Sequence, residues 1–162
     1  MPIHEIGDQS CAVARSIAVV GDPWTLMVLR ELFLGTRRFD DLRVQTGVSP
    51  HLLSVRMRAL TESGVVERLP YQQKPLRHEY RLTRKGLDLW PVVMALKAWS
   101  DRWADWPEGR PVRLRHQGCG KVTQPQLTCH VCGEAMGPQD VDLEMSEAAV
   151  AERVRRSQGR AA

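Results

Sequence analysis

Four residues towards the C-terminal end carry the sharpest chemical signal in this chain of 162 residues. His116 and Cys119 stand in an H-x2-C spacing followed by glycine, and Cys129 and Cys132 in a C-x2-C spacing, again followed by glycine. Thiolate and imidazole suit zinc, and two such half-sites joined by a short loop make the four-ligand tetrahedral set of a zinc ribbon. The glycine after each second ligand lets the backbone turn so that its amides point at sulfur. A closed four-ligand site leaves no position for water, so the zinc expected here is structural. His130 is the other imidazole at hand, but its place beside Cys129 is awkward geometry. Three readings without a permanent ion stay open: a relic ribbon kept in shape by hairpin packing, a Cys129–Cys132 disulfide, and a sensor that releases metal when its thiols oxidise.

Cys11 is the remaining cysteine. It stands at the start of a helical pattern, where amide dipoles favour a thiolate, with Arg15 one turn on. A redox sensor and a small hydrophobe at a subunit seam are the two readings.

The other chemically informative residues are cations. Between Arg37 and Lys85, eleven Lys or Arg stand against five Asp or Glu, whereas the whole chain carries a net charge of only +4. Concentrated positive charge is the footprint of phosphate binding, although a solvated basic face looks the same. No nucleophile elbow, phosphate loop or open metal site occurs, which argues against an enzyme. The first ten residues lack a basic n-region and an apolar run, and no stretch approaches the ~20 apolar residues of a bilayer span. The expectation is a cytoplasmic protein with no membrane partner.

The elements that would hold these residues are mostly helical. Ser10 can cap a helix ending at Gly21, with Val13, Ile17 and Val20 at helical spacing. Asp22-Pro23 reads as a cap followed by proline at the first helical position. The helix it opens carries Trp24, Val28, Leu29, Leu32 and Phe33 on one face and stops at Gly35. A short third helix holds Phe39, Leu42 and Val44, Gly47-Val48 turns, and Ser49-Pro50 caps a fourth helix to Gly64. Two strand-like runs follow, Val65 to Leu69 and Glu79 to Leu82, joined by a basic loop. From Thr83 a long helix is expected to reach Trp106 with a kink at Pro91.

Two short helices joined by a glycine turn, then a hairpin with a basic loop, give the order of a winged helix-turn-helix, a mainly α fold with a β-hairpin wing. With Leu53, Met57 and Leu60 inward, a helical wheel turns His51, Ser54, Val55, Arg58 and Glu62 outward. Ser49, His51, Ser54 and Arg58 are then candidates for base edges or phosphates of double-stranded DNA, and Arg56, at the margin, for a phosphate. Gln73, Lys74, Arg77 and His78 would be wing contacts, and Arg37 and Arg38 would clamp the backbone from the connection before the third helix. The long helix is apolar too far round for one neighbour, with Trp90, Val93, Leu96, Trp99 and Trp103 crowding its faces. Its second side is most economically covered by a partner subunit.

The run CAVARSIAVVGDPWTLMVLRELFLGTRRFDDL, then GVSPHLLSVRMRALTESGVVER, then HEYRLTRKG resembles the HxlR-type regulators, relatives of the MarR group. The resemblance covers roughly Cys11 to Trp103. It implies a transcriptional regulator that pairs as a homodimer through its first and last helices, Val13 and Ile17 included, and binds a palindromic operator. Some members of the family look thiol-responsive through a cysteine in the region of Cys11. A seam lined by Trp and Met would also have room for a small aromatic effector. The competing reading is an interaction factor, a winged helix with a ribbon that docks on transcription machinery. The expected organisation is a DNA-binding and dimerisation domain over 1–106, a linker over 107–111, a zinc-ribbon-like β module over 112–145, and a tail over 146–162, helical or frayed.

Overall fold

The computed structural model describes residues 6–158. They fall into two compact units: one runs to Trp90 and resumes at Met145, and the other is Pro91–Glu144.

The first unit opens with α1 (Ala12–Val20) and α2 (Pro23–Phe33). Cys11, not Ser10, is the N-cap of α1, in extended backbone and without a side-chain cap. Ser10 is engaged through its backbone instead, donating its amide to Glu152 Oε2 at 2.7 Å. Asp22 caps α2 as its spacing before Pro23 suggests, accepting from the amides of Trp24 at 3.0 Å and Thr25 at 3.1 Å. Val28, Leu29 and Leu32 go into the core. Trp24, expected on that face, stays 37% exposed, while Glu31 is buried. Burial of a carboxylate is tolerated because Arg30 Nε at 2.9 Å and Thr36 Oγ1 at 3.2 Å donate to it.

Next come α3 (Phe39–Thr46) and α4 (Pro50–Glu62). Gly47 ends α3 at φ +70°, a left-handed conformation that glycine adopts without strain. Buried Val48 pins the turn, and Ser49 Oγ accepts the Leu52 amide at 3.3 Å to start α4. Leu53, Met57 and Leu60 are no more than 2% exposed. Each such side chain contributes about 1.5–3 kcal/mol by leaving water, so this stripe fixes which way α4 faces.

The hairpin is longer than its apolar runs indicate. β1 (Val66–Gln73) pairs antiparallel with β2 (Leu76–Leu82), from Val66 opposite Leu82 to Gln73 opposite Leu76. The polar residues expected in a loop extend the ladder because backbone pairing does not need apolar side chains. A register shift between Pro70 and Gln72 bulges the strand at Tyr71. On the other side of β2, Arg38 bridges Glu79 and the Tyr80 amide donates to Arg37 O at 2.8 Å. The segment before α3 thus acts as a third, one-bridge strand. Pro70 sits on β1, away from that bridge, where its missing N–H is harmless.

The single long helix expected after Thr83 is two. α5 (Arg84–Leu87) is capped by Thr83 Oγ1, which accepts the Gly86 amide at 3.2 Å, and α6 spans Trp90–Trp103. Pro91 does not kink a helix here. It stands in the first turn of α6, where its lack of an N–H leaves no hydrogen bond broken. The unit closes with α7 (Glu147–Gln158), which buries no residue of its own. It is tied to the N-terminal segment by Glu152 and by Arg156 Nη1, which donates to Gln9 Oε1 at 3.0 Å.

Within the second unit, α6 ends against the chain that follows. Lys97 pairs with buried Asp101 at 2.5 Å, and Arg110 Nη2 donates to Asp101 O at 3.1 Å. Beyond Pro107 lie a small hairpin, β3 (Leu114–Arg115) with β4 (Val122–Thr123), and a bridge between Thr128 and Ala135. No single helix among the described residues is long and apolar enough to cross a membrane.

The order helix, helix, helix-turn-helix, hairpin is the winged helix-turn-helix expected from the sequence.

Candidate nucleic-acid interface

The buried stripe of α4 leaves Ser49, His51, Ser54, Val55 and Arg58 exposed on its other side. Ser54 faces a cleft of about 630 Å³ that the wing closes from across the way. Its walls include Arg38 and Phe39 at the start of α3, and Arg68, Tyr71, Arg77, His78 and Tyr80 on the hairpin. Residues of α4 and of both strands of the wing, from Ser54 to His78, therefore line one concave surface. This is the arrangement in which a helix enters a groove while a hairpin follows the flanking backbone.

Local structure places each cation. Arg37 and Arg38 precede α3 in extended backbone because their segment is hydrogen-bonded to β2, so both are carried at the wing's edge and exposed. The Arg38 guanidinium lies 4.9 Å from the centroid of the Tyr71 ring. The bulge before Gln72 is what brings Tyr71 to that place. Arg68 Nη2 stands 2.9 Å from His78 Nδ1 across the strands. Arg77 is exposed on the cleft, whereas Gln73 and Lys74 are exposed at the hairpin tip, with Lys74 O accepting from Gln72 Nε2 at 2.9 Å. Asp40 and Asp41 also reach the cleft from the first turn of α3, so its positive excess is concentrated on the wing.

One residue of α4 behaves differently from its sequence expectation. Arg56 directs its guanidinium to Asp22, with Nη2 2.8 Å from Oδ2, and is committed to packing α4 on α2. Its position at the margin of the helical wheel allowed either direction, and the acidic cap of α2 decides. Two cleft residues, Arg68 and Tyr71, had no sequence signal beyond alternation on a strand, and the bulge at Tyr71 breaks even that.

The other predicted sites lie elsewhere. Cys11 is exposed at the N-cap of α1. Val13 and Ile17 on α1 are 66% and 41% exposed, and on α6 Leu96, Trp99 and Trp103 are 50%, 68% and 69% exposed. Trp90 is 39% exposed and packs edge-on against Phe33 with centroids 5.1 Å apart, and Val93 is half-buried. His116, Cys119, Cys129 and Cys132 occupy two separate turns of the second unit, with the cysteines as free thiols. The Cys129 thiol is held below its ordinary value, first by the backbone amide of Cys132, then by that of Val131 and by the Cys132 side chain. Among the described residues no three potential ligands are grouped closely enough to hold an ion.

Residues 19–108 match the HxlR-like helix-turn-helix family. The HTH-type transcriptional regulator Rv3095 of Mycobacterium tuberculosis is 44% identical over 133 residues, which cover 82% of this chain and 84% of that protein. Among solved structures, PA1607 superimposes with a TM-score of 0.77 at 29% identity, over 90% of this chain and all of that one. The oxidised form of the redox regulator HypR superimposes with a TM-score of 0.55 at 30% identity, over 59% of this chain and all of that one.

Proposed function

The chain belongs to the HxlR-like helix-turn-helix family, a family of transcriptional regulators, and on that premise we propose that it binds a palindromic operator as a homodimer. The observation that carries this reading is the shared cleft, in which Ser54 of α4 opposes Arg77 and His78 of the wing. In this reading α4 lies in the major groove. Ser49, His51, Ser54 and Arg58 then approach base edges, and Arg37, Arg38, Lys74 and Arg77 take phosphates on either side.

Exposed apolar residues on α1 and on α6 support the homodimer reading. Large side chains such as Trp99 and Trp103, about two-thirds exposed on consecutive turns of one helix, are costly in water and suit a second copy of the same helix. A two-fold pair would set its two α4 helices one DNA turn apart, about 34 Å, which is why a palindromic site is expected. The alternative of a factor that docks only on transcription machinery leaves the basic cleft without a role.

The test is a mobility shift with DNA from upstream of the gene and a scrambled control, at two salt concentrations. Preferential binding to the upstream fragment that weakens steeply with salt supports the proposal, and binding that ignores both sequence and salt overturns it.

Exposed Cys11 supports a thiol-responsive form of this regulator, since its sulfur is open to an oxidant at the mouth of a proposed dimer helix. Loss of operator binding on diamide treatment in the parent protein but not in Cys11→Ser is the expected result. Equal loss in both would remove Cys11 from the response.

A further inference from the structure

The two turns of the second unit repeat one another atom for atom in their backbone bonding. In the first, the His116 amide donates to Lys121 O at 3.0 Å and the Gly120 amide to His116 O at 2.8 Å. In the second, the Cys129 amide donates to Glu134 O at 2.8 Å and the Gly133 amide to Cys129 O at 2.8 Å. Gly120 and Gly133 hold the same place in each turn, at φ +67° and +79°, which a side chain would strain. Both turns are hairpin tips, one closed by β3 and β4 and the other by the Thr128–Ala135 bridge. Apart from the Cys-Gly pair, HQGCGK and CHVCGE share no residue at equivalent places, so the repetition lies in the fold of the backbone.

Each tip carries its pair of donors at the first and fourth positions. Gly118 gives the His116 ring room, since a Cβ there would lie 3.0 Å from His116 Cε1. What is missing is anything to hold the tips together. From Pro107 to Glu144 no residue is buried, and Leu127 and Val131 are 69% and 82% exposed. A segment with no apolar core needs a cross-link to keep a tertiary structure.

We propose that His116, Cys119, Cys129 and Cys132 together bind one structural zinc ion, and that binding closes one hairpin tip on the other. Three thiolates and an imidazole are a donor set that tetrahedral zinc favours over magnesium or calcium. Because the tips stand separately before binding, association with the metal is also the folding step of residues 112–144, and it releases protons from the thiols.

The experiment uses the full-length protein purified under reducing conditions. Elemental analysis is expected to give one zinc per chain. Replacement by Co(II) should produce the visible d–d bands of a tetrahedral thiolate site, and X-ray absorption should show sulfur at about 2.3 Å and one nitrogen at about 2.0 Å. His116→Ala and Cys132→Ser should each weaken Co(II) binding by at least tenfold, while His130→Ala leaves it unchanged and His116→Cys retains the ion. Limited proteolysis should cut residues 112–144 faster after chelation than before. Mobility shifts with the same variants check that the first unit remains folded. The proposal is overturned by reduced protein that neither contains zinc nor develops d–d bands. Binding that survives His116→Ala and Cys119→Ala overturns it too, because that would be a site of two cysteines alone.

Discussion

Arg56 Nη2 and Asp22 Oδ2 stand 2.8 Å apart, so α4, the helix proposed to face DNA, is tied at its margin to the N-cap of α2. Asp22 serves two ends at once, because its Oδ1 accepts the amides of Trp24 and Thr25. Arg56 Nε is buried and has no hydrogen-bond partner among the described residues, which makes the Asp22 contact the one that holds its guanidinium.

Arg56→Ala is therefore expected to act on the fold. The pair is neither fully exposed nor fully buried, and its loss should cost about 1–2 kcal/mol in urea denaturation. Asp22→Ala should cost more, because the helix cap goes with it, by about 1 kcal/mol. The salt dependence of DNA binding should stay the same in Arg56→Ala. A slope lowered by about one per lost phosphate contact would instead put Arg56 on the DNA.

Arg58 is exposed two residues on and makes no ion pair or side-chain hydrogen bond among the described residues. Arg58→Ala should weaken binding to the operator by about 1–3 kcal/mol and leave binding to unrelated DNA nearly unchanged. Equal losses on both sequences, in a competition mobility shift, would reassign Arg58 from bases to phosphate.

Lys74 sits at the exposed tip of the wing. Lys74→Ala should weaken binding to all DNA alike and reduce the salt slope by about one per wing. An unchanged slope would remove the wing tip from the interface.

Trp99→Ala and Trp103→Ala should shift the proposed dimer towards monomer in sedimentation velocity. Both rings are about two-thirds exposed in the single chain, so little of the subunit's own packing is lost. An interfacial tryptophan is worth about 2 kcal/mol or more, roughly thirtyfold in dissociation constant. Unaltered tight dimers would place the interface elsewhere.

Gly86→Ala tests the corner where α5 meets the hairpin. A Cβ at Gly86 would lie 2.2 Å from Val65 O and 3.0 Å from Leu82 Cδ2, and the carbonyl cannot move without disturbing its bond from the Thr83 amide. Destabilisation of about 1–3 kcal/mol is expected from the forced shift, read as a lower denaturation midpoint. A variant as stable as the parent would show that α5 can slide.

Much of this architecture was legible in one dimension. Asp22-Pro23 and Ser49-Pro50 mark helix starts because a carboxylate or hydroxyl satisfies free amides and proline needs none. The spacing of Leu53, Met57 and Leu60 assigns an inner face to α4, and hence an outer one, because burial of that stripe outweighs any alternative rotation. The donor spacings around Cys119 and Cys132 mark two turns, and both turns form.

Other features were decided only by contacts between distant residues. The wing reaches Gln73 and Leu76 because strand pairing extends through polar side chains that carry no apolar signal. Arg68 and Tyr71 join the cleft through cross-strand register and a bulge, neither of which has a sequence period. Glu31 is buried because Arg30 and Thr36 are there to receive it, and Arg56 turns inward because Asp22 is across from it. By itself the sequence determined where α2 and α4 begin and which face α4 hides, since capping and hydrophobic periodicity act over a single turn. Which polar side chains are spent on the fold and which remain exposed was settled by tertiary structure, because a charge takes its direction from partners that only folding brings near.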